Sequence, residues 1–329
     1  MNTIKLAMLG YGNAGKAFKS LLEEKAKELS DAYDISFEFV SIVTKSKGDL
    51  LGSPTDTALD VAKNVDYDVL IELTPLNIKT GQPAISHIEA ALIRGKDVIT
   101  ANKGPIAHDF ARLNTLANEN GCAFLYETTV MDGTPVFNLV HDTLKFCTVT
   151  EVAGILNSTT NFILEEMEQG HPMDLIMEKG RALGFVEADP SMDIEGYDSA
   201  GKLTALLNVL MDANMKLDQI DRKGIEGITY KDIKDAAEKG SKIKLVCKGW
   251  RENGKVCGRV APELILLTHL YATVNGTSSI LSITTDLMGK LTIIEEDPEI
   301  LQTAYGVFSD LVRIVEKKPL CKCQNIQQK

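Results

Sequence analysis

The 329-residue sequence has no apolar run of bilayer-spanning length, no basic cluster, no Cys-x-x-Cys pair and no low-complexity linker. Each absence removes a class of function. A helix needs about 20 mostly apolar residues to span a membrane, so none is expected to do so. The opening, Met1-Asn2-Thr3-Ile4-Lys5-Leu6-Ala7-Met8-Leu9-Gly10, is apolar too briefly for a secretion signal and runs into a glycine turn. A formal net charge of −11 argues against nucleic acid as a partner. The six cysteines, at 122, 147, 247, 257, 321 and 323, are scattered, so reduced thiols in a soluble, cytoplasmic chain are expected. Cys321 and Cys323 fall in a polar tail, where metal binding is the minority reading. Cys147 lacks activating neighbours, which disfavours thioester chemistry.

What remains is an ordinary folded composition, 44% hydrophobic and 25% charged, in a chain long enough for two domains. Residues 3–9 predict a buried strand. A glycine turn follows at 10–15, then a helix over 15–30 with Phe18, Leu21, Leu22 and Leu29 at helical spacing. The aromatic and β-branched stretch 35–43 predicts a second strand. Short strands at 69–71, 97–100 and 122–126 alternate with helices at 81–94 and near 108–120. Such alternation predicts a parallel sheet covered on both faces. Beyond 136 the rhythm is less regular. Strand-like stretches occur within 144–155 and at 243–249, 255–260 and 279–285. Helices are expected at 160–169, 173–183, 199–211 and 299–316. The expected fold class is α/β, a Rossmann-type dinucleotide-binding domain at 1–135 with a second α+β substrate and dimerisation domain at 136–298. A C-terminal helix at 299–318 would return to the first domain, ahead of a polar tail at 319–329.

Gly10-Tyr11-Gly12-Asn13-Ala14-Gly15 fits G-x-G-x-x-G between a strand and a helix. The first glycine permits the turn, the second lets phosphates reach the backbone, and the third lets helix and strand approach. The helix N-terminus would hold the pyrophosphate. After the second strand no acid appears before Asp49, so Lys45 and Lys47 either meet a 2′-phosphate or are solvated lysines.

Further on, 180–190 leads through an acidic stretch to Asp198-Ser199-Ala200-Gly201-Lys202. Asp198 and Lys202 stand at i, i+4 on one helix face, a spacing that an ordinary surface ion pair also has. The stretch is not an EF-hand, because Ile194 stands where the required glycine would be.

At these residues the chain resembles homoserine dehydrogenases of the short form. The matching motifs, in order, are the turn at 10–15, Thr100-Ala101-Asn102-Lys103-Gly104, Tyr126-Glu127-Thr128-Thr129-Val130, the segment 154–161, and the run 183–203 with its Gly-aromatic-x-Glu-Ala-Asp-Pro and Asp-x-x-x-Lys-Leu elements. The resemblance implies interconversion of L-homoserine and L-aspartate 4-semialdehyde with NAD or NADP. It implies Lys202 as acid/base, Asp198 and Glu187 on the substrate, and Thr159 in the pocket, with Lys103 between cofactor and substrate. Implied cofactor contacts are Gly10, Gly12, Asn13, Ala14, Gly15, Thr74, Lys103 and Gly289. A sodium ion would sit at Glu127, Val130, Asp132 and Thr134, largely on backbone carbonyls. A homodimer is implied as well. The chemistry suits the residue types: oxidising an alcohol requires a proton acceptor at oxygen as hydride leaves carbon, and a lysine whose pKa falls toward neutrality can serve.

The sequence departs from the family at three places. Met131-Asp132-Gly133 replaces a more glycine-rich stretch, Ser158 replaces a glycine, and only Gly289 remains of a glycine turn expected before the last helix. These departures leave two alternatives, a dehydrogenase of another hydroxy amino acid and a nucleotide-binding sensor without turnover.

Overall fold

A computed structural model describes residues 2–184, 186 and 189–316. The chain divides into two compact units, one formed by the chain up to Thr143 together with the segment from Glu299, the other by Leu144–Pro298.

The first unit opens with strand β1 (Asn2–Leu9), helix α1 (Asn13–Tyr33), β2 (Ile35–Thr44) and the short β3 (Gly48–Asp49). Then come α2 (Ala58–Asn64), β4 (Val69–Glu72), α3 (Ala84–Ile93), β5 (Asp97–Thr100), α4 (Lys103–Glu119), β6 (Phe124–Leu125) and α5 (Phe137–Thr143). The sheet order is β3-β2-β1-β4-β5-β6, parallel except for the β2–β3 hairpin. The strand order reverses between β1 and β4, and in open parallel sheets ligands bind outside the carboxyl ends at such a point. The central strands explain the sheet's burial: Leu6, Met8, Leu70, Ile71 and Ile99 are fully enclosed, as both faces carry helices.

Helix α4 begins earlier than its apolar periodicity suggests. Asn102 caps it by accepting the Gly104 N–H at 3.0 Å, and Pro105 sits in the first turn, where no backbone donor is needed. Lys103 therefore stands at the first helical position rather than in a loop.

The second unit holds β7 (Val149–Ile155), α6 (Ser158–Glu168), α7 (Met173–Ala182), α8 (Ser191–Ile194), α9 (Tyr197–Leu210) and β8 (Asp221–Arg222). It continues with α10 (Tyr230–Glu238), β9 (Ser241–Glu252), β10 (Lys255–Leu266), β11 (Ser279–Thr285) and β12 (Gly289–Glu295). The sheet order is β12-β11-β7-β9-β10-β8, with antiparallel pairs except between β10 and β8. Gly249 and Gly258 pair across β9 and β10 and leave room for Leu207 of α9, which would stand 2.3 Å from a Cβ at Gly249. That close approach seats α9 on the sheet.

The final helix, α11 (Ile300–Val315), belongs to the first unit. Ala304, Val307 and Leu311 enter the core that contains Phe18, Leu22 and Ile99. Gly306 and Gly133 let α11 approach the 127–134 turn: a Cβ on Gly133 would lie 2.1 Å from the Gln302 carbonyl oxygen. Met131 and Asp132 both adopt left-handed backbone, φ 56° and 49°. Thr303 Oγ1 donates to Asp132 Oδ1 at 2.8 Å, which ties this bend to α11. The turn thus keeps its shape without additional glycines.

Candidate active site

In the first unit three segments meet at the carboxyl ends of β1, β4 and β5. The three glycines of the first turn have separate causes. Gly10 has φ 96°, and a Cβ there would lie 2.2 Å from the Leu73 carbonyl oxygen. A Cβ on Gly15 would lie 2.8 Å from the Gly10 carbonyl oxygen and 3.3 Å from Met8 Sδ. Gly12 has nothing within 4 Å of its would-be Cβ and caps α1 with no side-chain hydrogen bond. Asn13, Ala14 and Gly15 thus begin a 21-residue helix whose N-terminal approach is open. Open first-turn N–H groups and the helix dipole suit an anion, so the turn fits a dinucleotide pyrophosphate.

Thr74 follows β4, and its N–H donates to Glu72 Oε1 at 3.1 Å. Asn102 Nδ2 donates to the Thr74 carbonyl at 3.3 Å, so Thr74 and the start of α4 at Lys103 are joined. Past β2, Asp49 is not offered to a ligand. Burial would raise its pKa, but hydrogen bonds from Ser41, Leu51 and Ile42 outweigh this and hold the carboxyl below the usual range. Lys45 and Lys47 are exposed on the hairpin turn.

In the 127–134 turn, Glu127 to Met131 are buried and the remaining three residues half-buried. Glu127 accepts the backbone N–H groups of Phe137 and Asn138 at 2.8 and 2.7 Å. Burial, then Asp310, pushes its carboxyl up to about 8. Asp132 is engaged by Thr303, Val130 is fully buried, and the Thr134 N–H donates to the Met131 carbonyl at 2.9 Å. Among the described residues no cluster of three His, Cys, Asp or Glu could hold a metal. Any cation there would rely on main-chain oxygens.

In the second unit, α9 brings Asp198 and Lys202 together with Lys202 Nζ 3.4 Å from Asp198 Oδ2, the side chains 20% and 15% exposed. Lys202 Nζ also donates to the Leu156 carbonyl at 2.6 Å. Two further residues join them that the sequence analysis did not single out. Asn157 caps α6 by accepting the Thr160 N–H at 2.8 Å, and its Nδ2 donates to Asp193 Oδ1 at 2.6 Å and Asp198 Oδ2 at 2.9 Å. Thr159, buried, also hydrogen-bonds Asp193. Burial first, then the nearby Asp198 charge, raises the Asp193 pKa. Asp193 lay in plain view within the acidic run, but nothing in its spacing separated it from solvated neighbours. Only α8, followed by the left-handed Gly196 (φ 80°) that starts α9, turns it inward. Glu187 lies outside the described residues. Gly289, with φ 75°, closes the β11–β12 hairpin in this unit, a turn that accounts for the glycine by itself; strand β12 separates it from α11.

An open helix N-terminus at the switch point of a Rossmann-type sheet, in a chain whose second domain holds a half-buried Lys–Asp pair, fits the class of two-domain NAD(P)-dependent oxidoreductases. Residues 10–127 match the model of the homoserine dehydrogenase NAD-binding domain, and residues 135–312 match that of homoserine dehydrogenase itself. The chain belongs to the homoserine dehydrogenase family. It is 33% identical to the NAD(+)-dependent homoserine dehydrogenase of Pseudomonas canavaninivorans, with 95% of this chain and 97% of that one covered. With homoserine dehydrogenase of Methanocaldococcus jannaschii it shares 32% identity over 94% and 98% of the two chains. The crystal structure of a homoserine dehydrogenase from Thiobacillus denitrificans superposes with a TM-score of 0.85 at 29% identity, covering 96% of this chain and 74% of that one. The reading as NAD(P)-dependent homoserine dehydrogenase thus holds over the alternatives of another hydroxy amino acid or a non-catalytic sensor.

Proposed function

We propose that Lys202 is the proton-transfer residue of homoserine oxidation and that Asp198 orients the substrate hydroxyl. The observation that carries this is the Lys202–Asp198 pair, half-buried on α9 and backed by Leu156 and Asn157. The nicotinamide, when bound, supplies the hydride acceptor or donor. Lys202 takes the proton from the alcohol oxygen in oxidation and returns it to the aldehyde oxygen in reduction. Glu187 is assigned to the substrate ammonium and Thr159 to the wall of the pocket. In the nucleotide-binding unit, Gly10, Gly12, Asn13, Ala14 and Gly15 carry the pyrophosphate, and Thr74 and Lys103 face the nicotinamide end. Steady-state kinetics of Lys202 variants on homoserine, described below, test the assignment.

We infer that NADP is accepted alongside NAD. The supporting observation is Asp49, whose carboxylate is engaged within its own hairpin, while Lys45 and Lys47 stand exposed beside it. A ribose 2′-phosphate would meet two cations there and no free carboxylate. Changing both lysines to Ala is expected to weaken NADP binding about tenfold or more while leaving NAD within about twofold, because a charge-assisted contact is worth roughly 1.5–3 kcal/mol. Calorimetric titration with each nucleotide checks this; equal NADP affinity before and after removes the inference.

A sodium ion is assigned to the 127–134 turn, on the main-chain carbonyls of Glu127, Val130, Asp132 and Thr134. The carboxylates of Glu127 and Asp132 are already hydrogen-bonded and leave this role to the backbone. Replacing sodium chloride by choline chloride at constant ionic strength should lower the melting temperature; an unchanged melt in both salts rejects the site.

The protein is further proposed to be a cytoplasmic homodimer of amino-acid biosynthesis. No helix among the described residues is long and apolar enough to cross a membrane. The second unit leaves Leu264, Leu266 and Leu267 55–59% exposed, an apolar edge suited to a second copy. Light scattering at micromolar concentration should give twice the chain mass, and a monomer mass contradicts it.

A further inference from the structure

Three of the four residues of β4 are Val69, Leu70 and Ile71, as the interior of a parallel sheet requires. The fourth, Glu72, is an acid with no exposed surface. An ionised carboxylate is costly to bury unless donors surround it, and an apolar residue of similar size would pack a sheet interior without that penalty. Packing therefore does not account for Glu72.

Its hydrogen bonds do. Oε1 accepts the Thr74 N–H at 3.1 Å and also the Thr74 hydroxyl. Oε2 accepts the Thr100 hydroxyl at 3.0 Å. Thr100 Oγ1 in turn accepts the Asn102 N–H at 3.0 Å, and Asn102 caps α4 at Lys103 while bonding back to the Thr74 carbonyl. The two oxygens of one carboxylate thus close a ring through the loop after β4 and the start of α4. The same loop presents the Leu73 carbonyl on which Gly10 rests. His87 is also buried here, its Nδ1 3.8 Å from Glu72 Oε1 and without a hydrogen-bond partner.

We propose that Glu72 is a positioning residue for hydride transfer: its buried carboxylate sets Thr74 and Lys103 in one fixed relation and so fixes the nicotinamide end of the cofactor site. This rests on the reading above that Thr74 and Lys103 face the nicotinamide. A catalytic geometry tolerates little play, and a misplacement of about 1 Å can cost about 10²-fold in rate. Glu72 touches no reacting atom and acts through the two segments it joins.

The two oxygens have separable effects. Thr100→Val removes the hydroxyl that carries Oε2 to Asn102 and keeps the side chain's shape. It should lower kcat about tenfold or more with the cofactor KM nearly unchanged. Glu72→Ala cuts both arms and should lower kcat and raise the cofactor KM together. Glu72→Gln retains an oxygen acceptor for Thr74 and should restore the cofactor KM toward wild type. Circular dichroism and thermal melts of each variant establish folding, and Lys103→Ala is measured alongside. A role confined to stability would lower the melting temperature of these variants without separating kcat from KM. If folded Glu72→Ala has wild-type kcat and cofactor KM while Lys103→Ala is impaired, the proposal fails and the reading of Lys103 stands. If Lys103→Ala is itself silent, both fall. Should Glu72→Ala not fold, Thr100→Val decides alone, and wild-type kinetics there overturn the proposal.

Discussion

Replacing Lys202 by Ala is expected to lower kcat for homoserine oxidation by about 10²–10⁴-fold, the usual worth of a positioned proton-transfer group, with nucleotide affinity unchanged. The truncation leaves α9 intact, since Asp198 keeps its bond from Asn157 at 2.9 Å. The Leu156 carbonyl loses its 2.6 Å donor, a stability cost of about 1–3 kcal/mol if water does not replace it. Lys202→Arg preserves the charge and the contact to Asp198, yet should rescue little, because guanidinium does not release a proton in the working range. Glu187→Ala, by contrast, should mainly raise the substrate KM, as it removes a contact made in ground and transition states alike. Steady-state kinetics on homoserine with calorimetric nucleotide titration separate these outcomes. Wild-type kcat in Lys202→Ala would move the proton-transfer role to Lys103.

Gly12→Val should abolish cofactor binding while the protein stays folded. The backbone at Gly12 has φ −80°, which a side chain tolerates, and nothing lies within 4 Å of the new Cβ. The valine would fill the space in front of α1, where the first-turn N–H groups face outward. Losing two charge-assisted bonds of about 1.5–3 kcal/mol each corresponds to about 10²–10⁴-fold in affinity. Gly10→Ala is the contrasting variant. Its Cβ would collide with the Leu73 carbonyl oxygen at 2.2 Å from a backbone with φ 96°, so it should lose stability first. A folded Gly12→Val that binds NAD as tightly as wild type places the nucleotide elsewhere.

Much of the fold is legible because its signals are local. Periodicity located β1, α1 and β2, the glycine turn stood between them, and 279–285 was expected as a strand and is one. Other local signals stand in the sequence as well. Asn253 and Gly254, with φ 50° and 76°, form the two-residue hairpin turn that joins β9 and β10, and both strands run beyond their expected ends. Thr229 and Asp232 make a capping box that starts α10, a helix not expected from apolar spacing.

The site divides along the same line. Asp198 and Lys202 were readable because four residues apart on a helix is one face, a relation that needs no tertiary information, and because the run 183–203 carries the family motif that marks them out from an ordinary surface ion pair. Their partners were not. Asn157 lies 41 positions before Asp198 and meets it only because the starts of α6 and α9 come together, with α8 against both. The same holds for Asp193, one acid among several until α8 turns it inward, and for Thr100, which reaches Glu72 across neighbouring strands 28 positions apart. Sequence by itself determined the class of fold, the glycine turn and the placing of Asp198 and Lys202 on one helix face, since these follow from chain-local geometry and residue chemistry. The tertiary structure alone decided which polar groups are buried and what they hold, because burial and long-range hydrogen bonding depend on which strands become neighbours, and no local pattern encodes that.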